Sequence, residues 1–406
     1  MISQNRRLRL PLVLLGMALL PLLLYGCGSG GRATPTPTKT PQPAAGIDPA
    51  TATPLPPPPT DTATPLPPTP TPEPTATVRP SDTPTPLPPT ATATPPPVSR
   101  VRPDNENPLT GLPVDDPAKL LRRPLFVVVN NDPPARSVHY GFSNAELVYE
   151  YIMEGRAVTR FSAVFLAGES KQIGPVRSAR LINFYLTPQY GGALVASGAG
   201  QDVRWWLKNK MAAPYLDIDL DDPGNNVYSF SLGTDYRTRL QTGTSLLRPW
   251  LANWNVESDP QFTGFLFDEG MASGPSGQSV TVDFPAEVTW TYDPASGRYL
   301  RSMDDDPHLD AASGQQLSAA NVIIQTMAHE PTDYVEDSLG STSIRIVSVG
   351  EGPVTILRDG VSIDGTWRAG DTEMPEFLDA AGDPILLKPG HSWIEVVEPA
   401  FAVTIR

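Results

Sequence analysis

Residues 146–166 read ELVYEYIMEGRAVTRFSAVFL, from Glu146 to Leu166. Two apolar runs rich in aromatic and β-branched residues flank Gly155-Arg156-Ala157-Val158, the pattern of a strand, a tight turn and a returning strand. Strand periodicity puts Leu147, Tyr149, Tyr151 and Met153 on one face and Val148, Glu150, Ile152 and Glu154 on the other. Glu150 and Glu154 are thereby expected to share a face with apolar residues, and the hairpin brings Arg160 across from one of them. Paired carboxylates beside an arginine have two readings. One is an acid/base or ligand-orienting pair, because two close carboxylates split their pKa values into a donor and an acceptor. The other is an ion pair on a sheet surface.

The neighbouring segments extend the hairpin into an α+β domain. Leu125 to Val129 is wholly apolar and predicts a buried strand that feeds the loop Asn130-Asn131-Asp132-Pro133-Pro134. Loops at the ends of buried strands carry polar function, which makes Asn130 and nearby Arg136 candidates. Downstream, Ile173 to Arg180 (IGPVRSAR) joins a Gly-Pro turn to a helix predicted over Leu181 to Leu186, with Ser178 placed to cap it. Arg177 and Arg180 flank that helix entrance, where unpaired N–H groups and the positive dipole end favour an anion. The alternative is that both arginines pair with Glu150 and Glu154 and tie strand to helix. The candidate ligand-binding set is Arg177, Ser178, Arg180, Arg160, Glu150, Glu154, Asn130 and Arg136.

The first hundred residues have a different character. Arg6, Arg7 and Arg9 precede the apolar stretch Leu10 to Leu24, and Leu24-Tyr25-Gly26-Cys27 ends it, the plan of an export signal. The run is short for a spanning helix and is broken by Pro11 and Pro21. Residues 31–100 then hold 24 of the 49 prolines. That composition cannot bury enough apolar surface to offset its ordering entropy, so 28–103 reads as a disordered Thr/Pro-rich tether. Residues 104–406 carry 22 Lys/Arg against 40 Asp/Glu, an acidic balance that argues against nucleic acid as a partner.

Cys27 is the sole cysteine, so no internal disulfide exists, and His139, His308, His329 and His391 show no metal-ligand spacing. No metal or cofactor is therefore expected. Asp217, Asp219, Asp221 and Asp222 invite a calcium reading but lack the glycine and terminal glutamate of the familiar loop, and read better as a solvated acidic turn. Val195 to Asp202 is either an anion cradle or a tight strand-to-helix turn. Trp205-Trp206 are placed to stack sugar rings, whereas Trp250 and Trp254, four apart, read as core. No G-x-S-x-G elbow is present.

Several blocks together resemble the YerB-like lipoproteins. They are NPLTGL (107–112), GFSNAE (141–146), Thr159-Arg160-Phe161 and above all IGPVRSAR, with a looser match at Gly365-Thr366-Trp367 and Leu387 to Ile394. The resemblance implies an exported, two-part domain of unknown function on the outer face of the cytoplasmic membrane, with Cys27 as the acylated, palmitate-bearing anchor of a lipobox. One departure is that this chain reads Tyr236 to Thr244 where the family often carries a Pro-His-Asn element.

These readings combine into a signal and lipobox (1–27), a tether (28–103), an α+β domain with a mixed sheet (104–283) and a smaller, mostly-β domain (284–406). The expected role is binding of an anionic or polar cell-envelope ligand. Two others stay open: a wall glycan or peptide hydrolase with Glu150 or Glu154 as its catalytic acid/base, and a scaffold for wall-synthesis proteins. Expected partners are the lipid bilayer, through Cys27, and wall components.

Overall fold

Strand β1 (Leu125–Asn130) is buried along its whole length, which is why its sequence is continuously apolar instead of alternating. The computed structural model describes residues 102–260 and 263–406. Cys27 and nearly all of the tether lie outside those residues. Next to β1 run β2 (Leu147–Ile152), β3 (Thr159–Phe165), β4 (Ala193–Ala196) and β5 (Tyr215–Asp217). Helices α1 (Leu181–Gln189), α2 (Gln201–Asn209), α3 (Ile218–Asp221) and α4 (Thr244–Asn253) connect or follow them, with the short pair β6 (Phe230–Ser231) and β7 (Leu240–Gln241) before α4.

The later strands are β8 (Ser279–Val282), β9 (Val288–Asp293), β10 (Arg298–Met303), β11 (Asp306–Pro307), β12 (Ser318–Ala319) and β13 (Asn321–Thr326). A hairpin follows, β14 (His329–Val335) and β15 (Thr342–Ile346), then β16 (Gly350–Arg358), β17 (Val361–Ala369), β18 (Glu376–Leu378), β19 (Ser392–Val397) and β20 (Val403–Ile405). The fold is α+β, with one mixed ten-stranded sheet ordered β18-β17-β16-β13-β19-β2-β3-β1-β4-β5. A second, six-stranded sheet contains β8 to β12 and β20.

The division at 283/284 therefore does not part the main sheet: β19, from the last residues of the chain, pairs in parallel with β2 on one side and β13 on the other. Each face of the main sheet has its own core. Leu125, Val127, Val129, Val148 and Phe161 pack with Trp250 of α4 and with Trp290 and Tyr299 of the second sheet. Phe126, Val128, Tyr149, Tyr151 and Val164 pack under α1 and α2 against Ile182, Leu186, Val203 and Leu207.

The motif blocks are mostly structural. Glu146 is buried and accepts N–H groups from Leu166, Ala167 and Gly168 at 2.7–2.9 Å and the Asn107 amide at 2.9 Å, joining NPLTGL to GFSNAE. Residues 173–177 run beside β1, with Asn130 N donating to Pro175 O at 2.8 Å and Arg177 N to Val128 O at 3.0 Å. Gly174 is required there: its φ is +151°, and a Cβ would lie 2.5 Å from Gln241 Oε1.

Candidate functional site

Parallel strands β1, β4 and β5 all end at the same edge of the main sheet, and antiparallel β3 begins there. In open sheets that edge is where ligands are usually held. Here it gathers Asn130, Arg160, Arg177, Ser178 and Arg180 from three chain segments. Arg160 and Arg180 both donate to the Ser178 carbonyl, at 3.0 and 3.2 Å. Arg180 is neutralised, since Glu154 takes both its Nε (2.5 Å) and an Nη, and burial on both sides makes this a strong charge-assisted pair. Asn130 is fully buried and bonds Asp132 Oδ2 at 3.1 Å and the Arg237 carbonyl at 2.9 Å.

Arg160 is different. It is 2% exposed, yet the only hydrogen bond of its guanidinium among the described residues is to that one carbonyl, and its Nε has no partner. Burial, with Arg180 and Arg177 nearby, brings its pKa down to about 9. Arg177 likewise forms no ion pair among the described residues: its buried Nε is unpartnered and its guanidinium lies 5.4 Å from the Tyr236 ring centre. By contrast the largely buried Arg248 donates to three carbonyls, of Arg123, Phe165 and Leu166, at 2.6–3.0 Å. The segment Tyr236–Thr244 reaches this edge through the Tyr236 ring beside Arg177 and the Arg237 carbonyl, which accepts from Asn130.

Three sequence expectations change here. Arg160 pairs across the ladder with Tyr151, and Glu150 with Phe161, so strand alternation puts Arg160 and Glu150 on opposite faces. Glu154 does not share a face with Glu150, because β2 ends at Ile152 and the turn through Gly155, at φ +69°, aims Glu154 at α1. The helix cap is Arg180, not Ser178: the Arg180 N–H donates to Asn183 Oδ1 at 2.8 Å, and α1 extends to Gln189. Arg136 is also apart from the edge, bonded at 2.8 Å to Asp304.

Glu150 instead belongs to a sealed polar chain that sequence reading missed. Its carboxylate binds Arg301 Nη2 and accepts Thr159 Oγ1 at 2.5 Å. Arg301 donates to His308 Nδ1, His308 Nε2–H donates to His139 Nδ1 (2.7 Å), and His139 Nε2–H donates to the Asn130 carbonyl (2.7 Å). The tautomers are assigned from this network. Arg301 sits 4.8 Å from the Trp393 ring centre and is fully buried. Glu395, beside Glu150 on β19, accepts Trp290 Nε1 at 2.8 Å, and burial and the Glu150 charge push its pKa well up. Asn130, His139 and Glu150 lie before residue 151 and Arg301, His308 and Glu395 beyond 280, sequence separations that no spacing rule scans; the tertiary fold unites them.

The remaining acidic candidates pair within the domain. Asp217 and Asp219 face Arg204, Asp221 faces Lys208, and Asp222 accepts from the 226–229 backbone and Ser229 Oγ. The N-terminus of α2 already holds a carboxylate, since Gly200 N donates to Glu336 at 2.9 Å. Trp250 is core, but Trp254 is 42% exposed.

A mixed sheet shared by two sequence halves, with an arginine-lined edge, defines a two-part α+β domain. Residues 109–239 match the family described as "Protein of unknown function (DUF3048) N-terminal domain", and residues 280–394 match its C-terminal domain. The YerB protein of Bacillus subtilis (strain 168), which is named as a lipoprotein, is 29% identical over 318 residues, 73% of this chain and 88% of its own length. The crystal structure of YerB from Bacillus subtilis superposes with a TM-score of 0.63 at 24% identity, over 74% of this chain and 98% of that one. The chain belongs to this YerB-like, two-part family of unknown function.

Proposed function

We propose that the protein is an extracytoplasmic lipoprotein, anchored through acylated Cys27, whose arginine edge binds an anionic group of a cell-envelope polymer. The carrying observation is Arg160: a guanidinium removed from water with one backbone acceptor and no ion pair among the described residues is under-compensated, a cost of several kcal/mol that a bound anion would offset. Arg177 beside it offers further donors. Binding is favoured over hydrolysis because Glu150 is sealed and Glu154 has both oxygens on Arg180, which leaves neither poised to move a proton. The anchor rests on the Cys27 pattern and on a relative named as a lipoprotein.

The test is calorimetric titration of the full chain with inorganic phosphate and with a phosphate-bearing wall polymer. Arg177→Ala should weaken polymer binding by about tenfold, the equivalent of one charge-assisted contact. Arg160→Met should abolish binding while leaving stability unchanged or raised by up to about 2 kcal/mol, since it removes an unpaired buried charge. Parental binding in both variants would refute the site. For the anchor, Cys27→Ser should move the protein from membrane pellet to supernatant.

A further inference from the structure

A second feature lies on the same side of the sheet but uses different residues. Helices α1 and α2 and the β14–β15 hairpin enclose an open groove of about 390 Å³. Its walls include Phe184, Tyr185, Trp206 and Tyr334, and its rim carries Asp333 and Arg345. The volume lies in the range of small-ligand sites, about 300–1,000 Å³. Phe184 meets Tyr185 and Trp206 edge to face, with ring centres 5.0 and 5.9 Å apart, so the rings brace one another instead of filling the groove. Arg345 is engaged by Glu330 at 3.1 Å and lies 6.0 Å from the Tyr185 ring centre. Asp333 is exposed and forms no ion pair among the described residues.

We infer that this groove binds a saccharide. The rim selects among the ligands that suit aromatic walls. An acyl chain would leave the Asp333 carboxylate facing hydrocarbon. A nucleic acid would meet a region with 40 acidic against 22 basic side chains. A peptide backbone offers acceptors as often as donors, and a carboxylate serves only donors. A sugar ring supplies an apolar C–H face for Trp206 and Tyr334 and hydroxyl donors for Asp333. Trp205, 51% accessible, lies outside the groove lining and meets Trp206 edge to face with ring centres 5.6 Å apart.

The experiment follows tryptophan fluorescence of the full chain during titration with a β-1,4-linked N-acetylglucosamine tetramer and, in parallel, a maltotetraose. Saturable binding of at least one tetrasaccharide is expected. Trp206→Ala and Tyr334→Ala should each weaken it by about tenfold. Asp333→Asn, a surface change that spares the fold, should weaken it severalfold, and Arg177→Ala should leave it unchanged. That last arm separates this groove from the anion site, so either proposal can fail alone. The inference is overturned if neither sugar binds, if the groove variants bind like the parent, if Arg177→Ala abolishes sugar binding, or if a proline-rich peptide binds there more tightly than the sugars.

Discussion

Arg160 and Arg301 are both buried guanidiniums, and the protein treats them in opposite ways. Arg301 has Glu150, His308 and the Trp393 face as partners; Arg160 has one carbonyl. Arg301→Met should cost about 3–5 kcal/mol in urea unfolding because it strands the Glu150 charge, and adding Glu150→Gln should recover much of the loss. Acid should act on the same cluster. Burial holds His139 down at about 3 and His308 well below its ordinary value, whereas both titrate near 6.5 when unfolded. The unfolded chain therefore takes up more protons, so their contribution is complete above about pH 6.5 and lost as pH falls toward 3. Glu395 has the opposite sign: its raised pKa contributes below about pH 4.5 and is lost as pH rises through its folded value. As pH falls below about 6.5 the unfolded imidazoles take up protons that the buried ones refuse, so the urea midpoint should drop on acidification. His308→Gln should flatten that slope, and an unchanged slope would remove the imidazoles as its source.

Among the elements, the 173–177 segment determines whether the site exists. It lies against β1 through two backbone hydrogen bonds and delivers Arg177 and Ser178 beside Arg160. Gly174→Ala would force a side chain into the positive-φ region and against Gln241, at a cost of about 1–3 kcal/mol. Displacement of the loop should also lower anion affinity, while sugar binding in the α1–α2 groove survives. A continuous apolar run was enough to find β1, and the apolar runs around the 155–158 turn were enough to find β2 and β3 and to place Glu150 with Val148. It failed at Glu154 because one glycine turn re-aims a side chain without altering the apolar spacing. Arg177 and Arg180 are three apart in the sequence, yet one is neutralised and the other unpaired, a difference made by Glu154 reaching across from another element.

At the scale of the molecule, the decisive contact is β19 between β2 and β13. Residues 104–283 expressed alone would expose the β2 edge, and also lose Arg301, His308 and Glu395 from the buried chain. That fragment should show no cooperative unfolding transition, whereas 104–406 should unfold in one step by circular dichroism. A two-step transition in the longer chain would mean that the halves are energetically separate.

The sequence alone determined the α+β class, the motif blocks, the acidic balance and the family. The fold class and the charge balance follow from local periodicity and composition, which a chain carries before it folds, and the family from the resemblance of the motif blocks. The tertiary structure decided which charges meet. Glu150 went to Arg301, Glu154 to Arg180, and Arg160 was left with a single carbonyl. Those outcomes depend on strand register and on a strand returning from the far end of the chain. Ionic partners are chosen by proximity in space, and the contacts that bring them together span up to 245 residues of chain.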